Sequence, residues 1–300
     1  LKDTANINSC IEYYIQINTN TDNLKLRVLT DLFATIIREP CFDQLRTKEQ
    51  LGYVVFSGTV LGRTTLGFRV LIQSERTCDY LQYRIEEFLV QFGNYINNEL
   101  STEDFIKFKH ALKNIKLTKL KHLNEETVRI WSNIIDGYYD FDSRTRQVEI
   151  LENITKDELV EFFNTFIAKS DNTGKLITYL KSQNPIEFTE SKKLHSGIIN
   201  YLYRNQIEIN HELIDNLVKQ YDEHKDLAVI AKELSHDINV NKDKLLKVLN
   251  KSIAQPVPEI YPTGKLVVND KEFRKNRQLS GTPKPVNPLS KFLYNDQSHL

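Results

Sequence analysis

The sequence contains no methionine, one tryptophan and three cysteines in 300 residues, and its charges cancel. Each scarcity excludes something. Cys10, Cys41 and Cys78 are odd in number, widely spaced and without a CxxC pair, so they fit free thiols in a reducing, cytoplasmic setting better than a disulfide framework. Forty Lys plus Arg balance forty Asp plus Glu, which leaves no net field to attract nucleic acid or anionic lipid. No run approaches the roughly 18 apolar residues of a membrane span, and the N-terminus lacks a signal-peptide pattern. A chain that begins at Leu1 and holds no methionine reads as a fragment, the C-terminal end of something longer.

Catalytic motifs are equally scarce. A helix-borne zinc site needs two histidines about one turn apart plus a carboxylate base, so that the imidazoles converge on one metal. The histidines stand at 110, 122, 195, 211, 224, 236 and 299, and no pair is three or four residues apart. His122-Leu-Asn-Glu125-Glu126 has the outline of HxxEH with Glu in the final place, and His211-Glu212 has no histidine at 215. Both read as solvated helix-end residues. GxSxG, Walker and GxGxxG motifs are missing, and no histidine lies near a cysteine in sequence, so Cys41 and Cys78 read as small hydrophobes.

What is present is a well-patterned globular chain, 40% hydrophobic and 10% aromatic. Ile11, Tyr13, Ile15 and Ile17 alternate with polar residues as in a half-buried strand. Leu24, Val28, Leu29, Leu32, Phe33 and Ile36 follow helical spacing, and Pro40 is expected to end that helix. Residues 53–61 and 64–73 read as antiparallel strands joined at Gly62-Arg63. Helical stripes follow at Leu81–Ile96, at Phe105, Phe108, Leu112 and Ile115 behind a Ser101 cap, and at Val128–Ile135. Thr155 and Glu158 form a capping box ahead of Leu159, Phe162, Phe163 and Phe166, and Lys175–Lys181 reads as a strand. That order predicts an α+β fold, an antiparallel sheet with helices packed on one face, over residues 1–183. Residues 184–253 read as a mostly helical insert, and 254–300 as an extended, proline-rich tail. Within the insert, 225–250 has a helix-turn-helix outline, but five acidic residues precede its lysines, which favours packing or protein docking over DNA.

The most informative stretch is Glu39–Gly58, EPCFDQLRTKEQLGYVVFSG, read as a helix end, a charged loop and a strand entry. It places Arg46 and Tyr53 at the junction. On composition alone two readings stand. Arg46 pairs with Glu39, Asp43 or Glu49 and Tyr53 is a strand aromatic with a wet hydroxyl, or both groups bind substrate amide oxygens and stabilise negative charge growing there.

This stretch, continued by GFRVLIQSE and more weakly by IWSNIIDGYYDFDSRTRQVEILENITKDELVEFF, closely resembles the last of four homologous domains in the insulinase family of pitrilysin-type zinc metallopeptidases, fungal members included. The resemblance implies a zinc metalloendopeptidase whose four α+β domains close around a peptide, with the zinc on an HxxEH helix of the first domain and its ligands outside this chain. By the resemblance, Arg46 and Tyr53 reach across the chamber to complete the active site, and Phe42 shapes the same wall. The implied partners are a peptide substrate, pheromone or other peptide precursors among them, and the N-terminal half of the same protein. About 65 extra residues interrupt the family pattern after the strand near residue 180, and the segment 190–252 suits a docking surface for a further protein. The rival expectation is a non-catalytic scaffold that keeps the peptidase fold.

Overall fold

A computed structural model of the chain describes residues 6–19, 23–168, 174–183, 189–208, 210–238, 240–254, 264–275 and 277. The expected boundary at Asn184-Pro185 and the prolines of the tail lie outside the described residues.

Four strands form one antiparallel sheet: β1 (Ser9–Asn18), β2 (Val54–Leu61), β3 (Leu66–Ser74) and β4 (Gly174–Leu180), in the order β2-β3-β1-β4. Register follows the alternation in the sequence. Ile11, Tyr13 and Ile15 stand opposite Ile72, Val70 and Phe68, and all six are buried on the helix-covered face. The intervening residues face the other way, where Glu12 pairs with Arg69 at 3.0 Å and Phe56 lies under the Arg69 guanidinium. The β2–β3 turn spans four residues rather than the two expected, closed by Gly62 N–H to the Thr65 carbonyl at 2.8 Å.

The covering layer comprises α1 (Leu24–Phe42), α2 (Cys78–Asn94), α3 (Thr102–Leu117), α5 (Ser143–Asn153) and α6 (Lys156–Phe162). Asn23, Thr77, Ser101 and Thr155 each accept a backbone N–H from the first turn of the helix they cap. Glu158 returns the bond to Thr155 N–H at 2.9 Å, completing the predicted box. Phe33 sits at the hub, its ring centroid 4.9–6.2 Å from those of Phe68, Phe92, Phe162 and Phe163. Full burial of each such side chain contributes about 1.5–3 kcal/mol, so this hub ties β3, α2 and the α6 region to α1.

Three expectations need correction. Pro40 lies inside α1 instead of ending it. The bias before proline is local and weak, and the buried Cys41, Gln44 and Leu45 continue the core-facing stripe past it. The stripe on α4 (Leu123–Ile135) is exposed: Leu123, Val128, Trp131 and Ile135 all face out, and none of its residues is buried. Ile115, placed on the inner face of α3, is also exposed. Periodicity reports an apolar face, not whether this chain covers it.

Beyond the sheet, α7 (Glu190–Arg204), α8 (His211–His224), α9 (Leu227–Ile238) and α10 (Lys242–Ala254) enclose a second core of Leu194, Ile198, Leu217, Ile230, Leu234, Leu245 and Leu249. In the segment read as an extended tail, α11 (Asp270–Lys275) forms a short helix, opened by Asn269 Oδ1 accepting from Lys271 N–H at 3.1 Å.

Candidate active site

Past Pro40 the chain widens into a π-helical turn over Asp43–Lys48. Pro40 has no N–H for the α ladder, and the turn closes through Glu49 N–H to the Gln44 carbonyl at 2.9 Å and Leu51 N–H to the Leu45 carbonyl at 3.0 Å. Arg46 therefore lies in a helical turn, not in the charged loop expected from sequence. Turns of this kind recur at functional sites because they re-aim one side chain without ending the helix.

The turn brings three predicted residues together. The Arg46 guanidinium carbon lies 4.7 Å from the centroid of the Phe42 ring and 5.3 Å from that of Tyr53. Phe42 is 40% exposed and Tyr53 86% exposed, so the cluster is presented to solvent rather than packed away. Each contact is worth about 0.5–1 kcal/mol at an exposed position, enough to bias a rotamer while leaving the guanidinium N–H groups available. Two of the carboxylates considered as Arg46 partners are taken: Asp43 pairs with Lys48 at 2.7 Å and Glu49 with Arg84. The third, Glu39, is exposed. Chemically the cluster offers a planar cation and a phenol as hydrogen-bond donors, flanked by an apolar ring. It contains no nucleophile.

The segment between Arg46 and Tyr53 is held from several sides. Ser74 Oγ donates to the Leu51 carbonyl. Gln50 adopts left-handed φ of 49°, and its amide nitrogen stands 2.9 Å from His211 Nδ1 on α8. Gly52 approaches the β3 backbone so closely that a Cβ there would lie 2.9 Å from the Gln73 carbonyl carbon and 3.2 Å from Ser74 Cα. Sequence reasoning did not find Gln44 and Arg84, which are buried beside Glu49. A signal existed: Arg84 falls on the apolar stripe of α2, between Leu81 and Ile85.

Among the described residues, no three His, Cys, Asp or Glu side chains are grouped to hold an ion. The HxxEH-like outline is a helix start, with Glu125 accepting the backbone N–H of Lys121 at 2.8 Å and of His122 at 3.3 Å. Burial pushes the Cys41 thiol up to about 12 and the Cys78 thiol up to about 11, so neither is a thiolate near neutrality. Both pack as small hydrophobes, and Cys10, Cys41 and Cys78 are unbridged. No helix among the described residues is long and apolar enough to cross a membrane.

Comparison with known proteins converges on one group. Residues 32–131 match the family described as PQQ synthase PqqF-like, C-terminal lobe domain 4. The A-factor-processing enzyme of Saccharomyces cerevisiae is 44% identical over 197 residues, 66% of this chain and 18% of that protein. Insulin-degrading enzyme of Homo sapiens is 39% identical over 162 residues, 54% of this chain and 16% of the relative. The fold matches the crystal structure of pitrilysin with a TM-score of 0.54 at 21% identity, over 61% of this chain and 19% of that one. The chain thus spans 18% and 16% of the length of these two curated relatives.

Proposed function

We propose that the chain is a member of the insulinase family of pitrilysin-type peptidases, which it resembles, and that it is the C-terminal domain of a zinc metalloendopeptidase, closing the substrate chamber and supplying transition-state contacts. The observation that carries this reading is the surface cluster in which Arg46 lies against the exposed Phe42 and Tyr53 rings. Zinc, held by residues outside this chain, would supply the activated water.

The roles of this chain's own residues follow from their chemistry. Arg46 and Tyr53 donate hydrogen bonds to the peptide carbonyl, and their contribution grows as negative charge develops on its oxygen. Phe42 gives the guanidinium an apolar backing and the substrate a wall. Enclosure selects peptides and small unfolded chains by size and shape. Processing of a pheromone or similar peptide precursor agrees with the name of the yeast relative. The three free thiols support a reducing, cytoplasmic setting.

The test is made in the full-length protein. Arg46→Ala and Tyr53→Phe are expected to lower kcat/KM for a peptide substrate about ten- to a thousandfold, the range for losing an oxyanion donor. Near-normal turnover in folded variants would remove both residues from the mechanism. If the upstream chain lacks an intact HxxEH, the protein is a scaffold that retains the fold.

A further inference from the structure

Between Arg46 and Tyr53 in sequence, Glu49 enters a buried ion pair that the proposed chemistry does not use. Glu49 follows the π-helical turn, and its side chain is 3% exposed; that of Arg84 on α2 is 2% exposed. The two meet in a fork, Arg84 Nε donating to Glu49 Oε2 and Nη2 to Oε1, each at 2.6 Å. Gln44 Nε2 donates to the same Oε1 at 2.6 Å. Burial alone would loosen the guanidinium's proton, but the bonds to Glu49 and its charge outweigh it, so Arg84 holds that proton more tightly than a free arginine does.

Stability alone is a weak reason for this arrangement. Removing both ions from water offsets most of their attraction, and apolar residues of similar volume often hold a core as well or better. What a bidentate fork supplies is direction, because it fixes both distance and angle. The fixed segment is the one that matters here. Glu49 lies three residues after Arg46 and four before Tyr53, and both its side chain and its N–H tie back to Gln44 in the turn that carries Arg46. The fork is a buried side-chain tie that opposes relaxation of the wide turn toward α geometry, beside its main-chain bonds and the exposed contacts of Asp43 and Gln50. That relaxation would rotate Arg46 about the helix axis and away from Tyr53.

We infer that Glu49 and Arg84, with Gln44, are positioning residues that hold the π-helical turn and so set the spacing of Arg46 and Tyr53. This inference rests on the functional reading of those two residues given above. Both side chains are buried, so the pair acts through the turn rather than on substrate.

The deciding experiment uses the full-length protein with Glu49→Leu and Arg84→Met combined, which removes both charges and leaves no buried ion unpaired. The double variant is expected to stay folded with a modestly lowered melting temperature, because the Gln44 amide loses its acceptor, to lose about ten- to a hundredfold in kcat, the scale of an ångström-level misplacement, and to change KM little. Amide hydrogen exchange at Gln50, Leu51 and Tyr53 is expected to quicken at least tenfold. A folded double variant with wild-type kcat and unchanged exchange over 50–53 overturns the inference. Glu49→Gln serves beside it and is expected to be worse, since it strands the Arg84 charge; if it fails to fold, the double variant still decides. Tyr53→Phe separates the two proposals. Unchanged turnover in Tyr53→Phe refutes the functional reading, while the exchange measurement still reports on the pair.

Discussion

Replacing Gly52 by alanine adds one methyl group and places it against main chain. The new Cβ would stand 2.9 Å from the Gln73 carbonyl carbon and 3.2 Å from Ser74 Cα, with the Gln73 carbonyl oxygen nearer still. These are backbone atoms of β3, hydrogen-bonded to β1 and β2 on either side, so they have nowhere to retreat. The strain must therefore be relieved on the Gly52 side, and Tyr53 is the next residue. Clearing the overlap takes a displacement of about 1 Å, and a misplacement of that size costs about a hundredfold in rate when it reaches a catalytic group. Gly58→Ala is the control, because there the nearest atoms belong to the exposed Phe56 ring, 3.2 Å away and able to swing. Peptide-hydrolysis kinetics on full-length Gly52→Ala and Gly58→Ala, with thermal melts of both, make the comparison. Gly52→Ala is expected to lose about two orders of magnitude in kcat/KM and Gly58→Ala less than threefold. Equal activity of the two, with equal melting temperatures, would show that the approach of Gly52 to β3 does not set the position of Tyr53.

Two further outcomes test the packing and the helical unit. Phe33→Ala removes the ring that meets Phe68, Phe92, Phe162 and Phe163, and should destabilise the sheet domain by about 3–5 kcal/mol in urea denaturation; a loss below about 1 kcal/mol would mean the hub is loosely packed. His195 on α7 is held below its ordinary value by burial, against the pull of Asp215 at 3.4 Å and with help from Arg76 and His211. Because the folded value is the lower one, His195's contribution is complete above the unfolded value near 6.5. It falls as pH drops from there through the folded value. Protection factors of α7 and α8 amides, corrected for intrinsic exchange, should decline from pH 7.5 to 5, and His195→Gln should flatten the decline; an equal decline in the variant refutes it.

Much of the fold was legible because it rests on local rules. Alternation in β1, helical stripes in α1 and α2, and the Ser101 and Thr155 caps are short-range patterns whose physics does not depend on the rest of the molecule. The likeness of Glu39–Gly58 to one peptidase family was likewise a property of the string. Pro40 shows where such rules yield. A local preference against helix was overridden by burial of Cys41 and Leu45, and the helix continued into the turn that carries Arg46.

The sequence by itself determined most of the strands and helices, singled out Phe42, Arg46 and Tyr53, and showed which family the chain resembles. Tertiary structure decided how those donors are held. Arg84 is 35 residues from its partner Glu49, and Gln73 is 21 from Gly52. No periodicity reports such pairs, because their proximity comes from the sheet and α2 packing together. Tertiary structure also left Trp131 and its neighbours on α4 exposed where their spacing promised a core, since spacing reports an apolar face and only packing shows whether this chain covers it.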